Sequence, residues 1–339
     1  MKSVLSVDWL SYYGEYGQEM PTNGFELQPR EYGTKVFNNV SDVYFGNKKV
    51  AVLAFNPRSS IIEKTGAVLK FENNILYEKN FPIFRKKIIK GIKFHAKSIN
   101  RLDLALDFNF LENGMNGHIF IKQFTNDKYL HNGRGKFQIQ GVQKFESNYE
   151  YLRLGSNTSP VIAYLYNKTQ EMADVKDKPY IREKWELNGL NADNPVWRLE
   201  FRMNSDFFTM VDKDSGEFPL EYNFDFKEPE RLVYLYQSLV NQYFDFRLNN
   251  GTKNKSRMPK VEIINLSKVS MKVAKVQAEN TSSRREKILL HSLYKFSKRY
   301  GINNEIEEKP SNETMYQLIR TCGMQEYFEK KQHLWDSAE

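Results

Sequence analysis

Apolar and polar positions alternate, or the apolar ones gather in short runs, through the first 78 residues of the chain. Strand-like stretches at 3–10, 35–45, 49–56 and 66–71 are separated by turn clusters such as Pro21-Thr22-Asn23-Gly24 and Gly46-Asn47, and a period of two between turn signals predicts strands. Over 82–94 the spacing changes. Ile83, Ile88, Ile89 and Ile92 stand among basic residues, which predicts a short amphipathic helix. Alternation returns at 98–109, with Leu102, Leu104, Leu106 and Phe108 on one face and Arg101, Asp103, Ala105 and Asp107 on the other. Further strands are expected at 136–142, 151–154, 161–167 and 196–203, with a short helix inside the polar segment 168–194. From Pro229 the pattern is helical, Leu232, Leu235, Tyr236, Leu239, Val240 and Tyr243 forming a broad apolar face. A polar loop at 248–259 leads to helices expected at about 283–301, 312–322 and 324–334, the first opened by the capping-box spacing Ser283-Arg284-Arg285-Glu286. The fold class read from this is α+β. A mixed or antiparallel β-sheet platform with flanking helices occupies 1–225, and a helical, basic C-terminal region occupies 226–339.

Composition narrows the class. With 24 Phe and 20 Tyr in 339 residues the chain can fill a sizeable core. No stretch approaches the roughly 20 apolar residues of a membrane span, and the start, Met1-Lys2-Ser3-Val4-Leu5-Ser6-Val7-Asp8, lacks a secretory signal's apolar run. A cytoplasmic protein is expected. Cys322 is the single cysteine, so no internal disulfide or cysteine-rich zinc module exists, and it reads as an ordinary thiol in a charged helical region.

The charge is uneven. Residues 251–300 hold 13 Lys and Arg against three acids, while the rest of the chain holds 37 against 39. A second stretch, from Lys79 to Leu102, carries no acid and includes Arg85, Lys86, Lys87, Lys90, Lys93, Lys97 and Arg101. Local positive charge of this kind is the footprint of a polyanion, and nucleic acid leads as partner. The plain alternative is a solvated helix face carrying lysines for solubility.

Two patterns hold candidate chemistry. Asp103 and Asp107 point to one side of their strand about 13 Å apart if it is regular, so one metal would need a third carboxylate between them. Glu200, flanked by Arg198 and Arg202 on a second strand, is that candidate, and such oxygen donors suit Mg²⁺ or Mn²⁺. The same residues read equally as cross-strand ion pairs. Tyr164, Tyr166 and Lys168 share one face at a strand end. A tyrosine hydroxyl, with a free pKa of about 10, attacks phosphorus only where a cation or metal-held phosphate favours its phenolate. Two tyrosines on one face also arise by chance in a tyrosine-rich chain. Phosphate-loop and nucleophile-elbow motifs are absent, and the five histidines are too scattered for a histidine-pair metal site.

In order, these segments resemble the Rep_trans-type replication initiation factors of rolling-circle plasmids and filamentous phages, and the related relaxases of conjugative elements. Arg101-Leu102-Asp103-Leu104-Ala105-Leu106-Asp107 is similar to the family's RxDxAxD strand. Leu154-Gly155-Ser156-Asn157-Thr158-Ser159, then Tyr164-Leu165-Tyr166-Asn167-Lys168 and Glu171, resembles its glycine-serine and YxK segment. Trp197-Arg198-Leu199-Glu200-Phe201-Arg202 resembles its RxE strand, and Val7-Asp8-Trp9-Leu10 its first strand. The resemblance spans about 5–265; Asn157 departs from it, standing where a basic residue is frequent. It implies a site-specific nickase for rolling-circle replication. Tyr166 would attack the scissile phosphate to leave a 5′-phosphotyrosine and a free 3′-hydroxyl, with Lys168 stabilising charge and Tyr164 in reserve. Asp103, Glu200 and Asp107 would hold the metal. Arg101, Arg198, Arg202, Lys253, Lys255, Arg257, Arg284 and Arg285 are the candidate DNA contacts. The partners implied are an origin, single-stranded or hairpin at the nick, with a host helicase and polymerase, a homodimer, and no membrane. A non-catalytic DNA-binding regulator of the same fold, a water-using metal nuclease and a conjugative relaxase are the competing readings.

Overall fold

The computed structural model describes residues 2–133, 137–143, 147–191, 193–209 and 229–266. Ten strands form one sheet: β1 (Ser3–Tyr16), β2 (Phe25–Pro29), β3 (Phe37–Phe45), β4 (Lys48–Pro57), β5 (Gly66–Phe71), β6 (Phe94–Phe108), β8 (Phe137–Gln143), β9 (Ser147–Leu154), β10 (Val161–Asn167) and β11 (Trp197–Asn204). Their spatial order is β2-β3-β4-β5-β1-β6-β11-β10-β9-β8, and every neighbouring pair runs antiparallel. A separate ribbon pairs β7 (Tyr129–His131) with β12 (Phe246–Leu248).

The strands expected at 35–45, 49–56, 66–71, 161–167 and 196–203 lie within two residues of the observed bounds. β1 and β6 run longer than their apolar signal because each bends through register shifts in their pairing, and a bulge breaks the alternation that sequence reading follows. The single helix expected in 168–194 is two, α4 (Lys168–Asp174) and α5 (Pro179–Leu187). The helix expected at 82–94 is α2 (Phe81–Gly91), preceded by a single turn, α1 (Asn73–Leu76). Neither β2 nor α3 (Gly117–Thr125) was anticipated, both being too short to establish a period. The helix that starts at Pro229 is α7 (Pro229–Tyr243), and α6 (Ser205–Thr209) follows β11. The helices expected over 283–301, 312–322 and 324–334, Cys322, and a division at 225 fall outside the described residues.

One face of the sheet carries the main core. Leu102, Leu104, Leu106 and Phe108 of β6 lie there with Leu199, Phe201 and Met203 of β11, all at or near zero exposure. α2 covers this face beside β1, where Phe25, Phe71 and Phe81 pack. α3 and α7 cover it beside β10 and β11, with the Tyr236 hydroxyl donating to the Leu199 carbonyl at 2.8 Å. α4 and α5 pack on the opposite face in a smaller apolar cluster of Val4, Met172, Ile181, Trp185, Leu190 and Val196. Among the described residues no helix is long and apolar enough to cross a membrane.

The seat of α3 depends on Gly117, where a methyl group would enter the Trp197 ring. Gly117→Ala is expected to destabilise the fold by about 1–3 kcal/mol through overpacking, read as a lowered urea midpoint at unchanged slope.

Candidate functional site

Strands β6, β11 and β10 run side by side and bring most of the candidate residues onto one face. Asp107 pairs with Arg198 and Asp103 with Arg202 across β6 and β11. Across β11 and β10, Arg198 pairs with Tyr166 and Glu200 with Tyr164. Because side chains alternate along a strand, these registers place three acids, two arginines and two tyrosines on the same side. The helices α4 and α5 cover one end of this face. Its other end opens into a cleft of about 400 Å³ lined by Tyr164, Tyr166, Glu200 and Arg202, with Glu150 and Glu171 at the wall.

The covered end is a closed charge cluster. Arg198 is fully buried and grips Asp107 with two bonds, Nε to Oδ1 at 2.6 Å and Nη2 to Oδ2 at 2.8 Å. Its Nη1 donates to Asp8 Oδ1 at 2.8 Å and its Nη2 to the Tyr77 hydroxyl at 3.2 Å. Tyr77 in turn donates to Asp8 at 2.6 Å, and the Trp185 indole donates to Asp107 Oδ2 at 2.7 Å. Burial alone would raise the Asp8 carboxyl, but Arg198 and the Tyr77 hydroxyl outweigh it and hold that group far below the usual range. Burial likewise opposes the charge on Arg198, and Asp107 with Asp8 overcomes it. Two expectations are corrected here. Asp107 is not placed to ligate a metal, since both its oxygens are held by Arg198 and Trp185. Arg198 does not face DNA, since no part of it is exposed.

The open end holds the candidate nucleophile. The Tyr166 hydroxyl donates to Glu200 Oε2 at 2.9 Å. Burial, reinforced by the Glu200 charge, pushes the Tyr166 hydroxyl well above its usual pKa of 10, so it is protonated at neutral pH. Lys168, expected to stabilise charge on the phosphate or on the phenolate, donates to Glu171 Oε2 at 2.5 Å, its ammonium 5.7 Å from the Tyr166 ring centroid. Burial lowers its pKa, and the nearby Arg198 lowers it further. Glu200 is pushed up to about 7 by burial and by the charges of Asp103 and Asp8. Asp103 is itself buried and bound by Arg101 through two bonds, one of 2.9 Å from Nε, while Arg202 Nε lies 3.6 Å away.

Among the described residues no group of three or more His, Cys, Asp or Glu is placed to hold a metal ion. Of the other two expected carboxylates, Glu200 lines the cleft, while Asp103 has both oxygens held by the partly exposed Arg101, which a metal would have to displace. Two suffice for a Mg²⁺-like ion that keeps several waters and completes its shell with phosphate oxygens. The raised Glu200 carboxyl marks an excess of negative charge that a divalent cation would relieve.

The other basic candidates are dispersed. Lys253, Lys255 and Arg257 are exposed on the loop after β12, where Lys255 Nζ donates to the His131 carbonyl at 3.1 Å. Arg284 and Arg285 lie outside the described residues. The run from Lys79 to Leu102 is not one surface: Arg85 is buried, Lys93 pairs with Glu19, and Lys97 with Glu15 and Glu63. Asn157, at the position that departs from the resembled motif, accepts from Arg153 at 2.5 Å beyond the turn at Gly155.

Asp8, Tyr77, Trp185 and Trp9 belong to this face without having been expected in a functional role. Only Asp8 carried a signal, as an acid inside an apolar strand.

No family model matches the chain, and no curated protein matches it. Among solved structures it is similar to a rolling circle replication initiator protein from Geobacillus stearothermophilus, at 14% identity over 76% of this chain and 92% of that one, with a TM-score of 0.45.

Two variants test the electrostatics. Arg198→Met leaves Asp107 and Asp8 buried without their counter-ion and is expected to cost about 3–5 kcal/mol in urea unfolding. For Glu200, a carboxyl raised from 4.5 to about 7 means that the native state binds the extra proton between those values. Stability therefore falls as pH rises through that window. Glu200→Gln removes this fall and stabilises the protein above pH 7, by at most about 3 kcal/mol, measured as the pH dependence of the urea midpoint in wild type and variant.

Proposed function

We propose that the chain is a tyrosine DNA nickase that initiates rolling-circle replication, cutting one strand at an origin through a 5′-phosphotyrosine intermediate. The observation that carries this reading is the Tyr166 hydroxyl held on the Glu200 carboxylate at the edge of an open cleft. Tyr166 supplies the attacking oxygen. Its proton passes to Glu200, which already accepts the hydrogen bond of that hydroxyl at 2.9 Å. A bond forms between the tyrosyl oxygen and phosphorus, the bond from phosphorus to the 3′ oxygen breaks, and that oxygen leaves with a proton from solvent. Arg202, at the cleft wall, is positioned for the charge that gathers on the phosphoryl oxygens. Asp103 and Glu200 are the residues that would hold Mg²⁺ or Mn²⁺, which when bound polarises the scissile phosphate. Lys168 acts by fixing Glu171 and the first turn of α4 beneath Tyr166. DNA is the partner this chemistry requires, and the exposed lysines after β12 add a salt-sensitive hold on it.

A second reading, the non-catalytic DNA-binding regulator, draws support from the protonated state of Tyr166. One assay separates the two. The full chain is incubated with end-labelled single-stranded DNA from the surroundings of its own gene and Mn²⁺, then run under denaturing conditions. A covalent adduct that disappears in Tyr166→Phe is expected. An adduct that survives in that variant moves the nucleophile to Tyr164. Nicks without an adduct make water the nucleophile, and binding with neither leaves the regulator.

A further inference from the structure

Two cation–ring–cation sandwiches stand in a row across the sheet. In the first, Lys70 Nζ lies 3.8 Å and the Arg101 guanidinium 4.0 Å from the Trp9 ring centroid. In the second, Arg202 and Arg153 lie 4.9 Å and 5.7 Å from the Tyr164 ring centroid. The order β5-β1-β6-β11-β10-β9 makes the strands that carry them consecutive. The register steps them obliquely: Ser11 is opposite both Lys70 and Arg101, Arg202 is opposite Asp103, two residues along β6 from Arg101, and Arg153 is opposite Tyr164, whose other partner Glu200 is two residues along β11 from Arg202. Five steps between strands at about 4.8 Å each, with four residues along them at about 3.3 Å, give an oblique row roughly 27 Å long.

Two cations of this row differ from others on the sheet, whereas Arg101 is bound to Asp103 and Arg202 Nε lies 3.6 Å from the same carboxylate. Arg30 and Lys49 pair with Asp42, and Lys97 pairs with Glu15 and Glu63. Lys70 and Arg153 have no carboxylate within ion-pair distance among the described residues. The indole N–H of Trp9 and the Nε–H groups of Arg202 and Arg153 are buried without a hydrogen-bond partner. A buried donor left unpaired destabilises the free protein. An apolar ring is a weak resting place for a cation compared with an anionic oxygen.

We propose that this row is a track for single-stranded DNA. The rings hold Lys70 and Arg153 in readiness; phosphates draw these two cations off, and unpaired bases stack on the ring faces so released. A duplex keeps its bases inside and cannot make that exchange. At the 3.4 Å rise of a stacked strand the row accommodates about eight nucleotides, within the range of known single-strand sites. The track deepens the nickase reading, because it passes over Asp103 and beside Glu200, but binding along it needs no cleavage.

The test is fluorescence anisotropy of the full chain with a labelled twelve-nucleotide oligo(dT) in EDTA, so that metal-dependent cutting plays no part. Trp9→Leu is expected to weaken binding about tenfold, within the range for loss of one stacked base. Lys70→Gln and Arg153→Gln are each expected to weaken binding and to reduce the slope of log K against log salt by about 0.7, the single-strand value for one phosphate contact. Lys122→Gln, exposed on α3 across the sheet, keeps wild-type affinity. The two charge variants carry the test if Trp9→Leu fails to fold. Wild-type affinity and slope in both overturns the track, as does an equal loss in Lys122→Gln or an equal effect of the charge variants on duplex binding. An intact track with no adduct in the cleavage assay sinks the nickase reading alone; an adduct with no track effect sinks the track alone.

Discussion

Everything on the functional face is arranged around a guanidinium that has no water. Arg198 is reached by Asp107 from the neighbouring strand β6, by Asp8 from β1 and by Tyr77 from the end of α1, while Trp185 of α5 secures the far oxygen of Asp107. Five elements meet on one charge. An ion pair so deeply placed is weak evidence for stability, since desolvation consumes most of the attraction. Its value is positional: the guanidinium offers donors in a rigid planar fork, and each acceptor must come to the direction that fork dictates. The relative setting of β1, β6, β11 and α5 is thereby specified more sharply than apolar contact alone would do.

That cluster also sets the electrical character of the open end. Asp8 is kept ionised by Arg198, and its charge is one of those that raise Glu200 and Tyr166. The dry end of the face therefore governs the protonation of the wet end. Tyr166 and Glu200 share a proton across 2.9 Å, and the tyrosine keeps it until positive charge arrives to offset the surrounding carboxylates. On the proposed nickase reading, reactivity is a property of the loaded site and not of the resting protein.

Much of this face was legible from the chain. The alternation of Arg101, Asp103 and Asp107, and of Arg198, Glu200 and Arg202, identified two strands and the side they present; Tyr164 and Tyr166 did the same for a third. What alternation does not carry is register. The same acids and arginines serve for metal binding, for DNA contact or for mutual neutralisation, and only the pairing of Asp107 with Arg198 decides among them. Asp8 stands out as an acid in an apolar strand, but alternation does not reveal its partners, because the register shift between Val7 and Trp9 takes it out of pairing with β6. Trp185 and Tyr77 were hidden because a single aromatic on a short helix looks the same whether it fills a core or donates to a carboxylate. Lys168 was read as facing the tyrosine because it follows in the same alternation; the chain turns into α4 there, with Asn167 accepting from the Gln170 amide.

The strand order has a consequence for how the protein comes into being. Strands β1 to β6 form a contiguous block in which β1 pairs with both β5 and β6, so the first 108 residues can associate as soon as they leave the ribosome. Asp8 and Asp107 are then in place with no counter-ion, and the arginine that completes them arrives 190 positions after Asp8. Docking of β11 along β6 is a late, long-range event of the sort that slows folding. Because the candidate active face straddles that seam, a half-made chain holds only part of it, and competence is gained in one step when the seam closes.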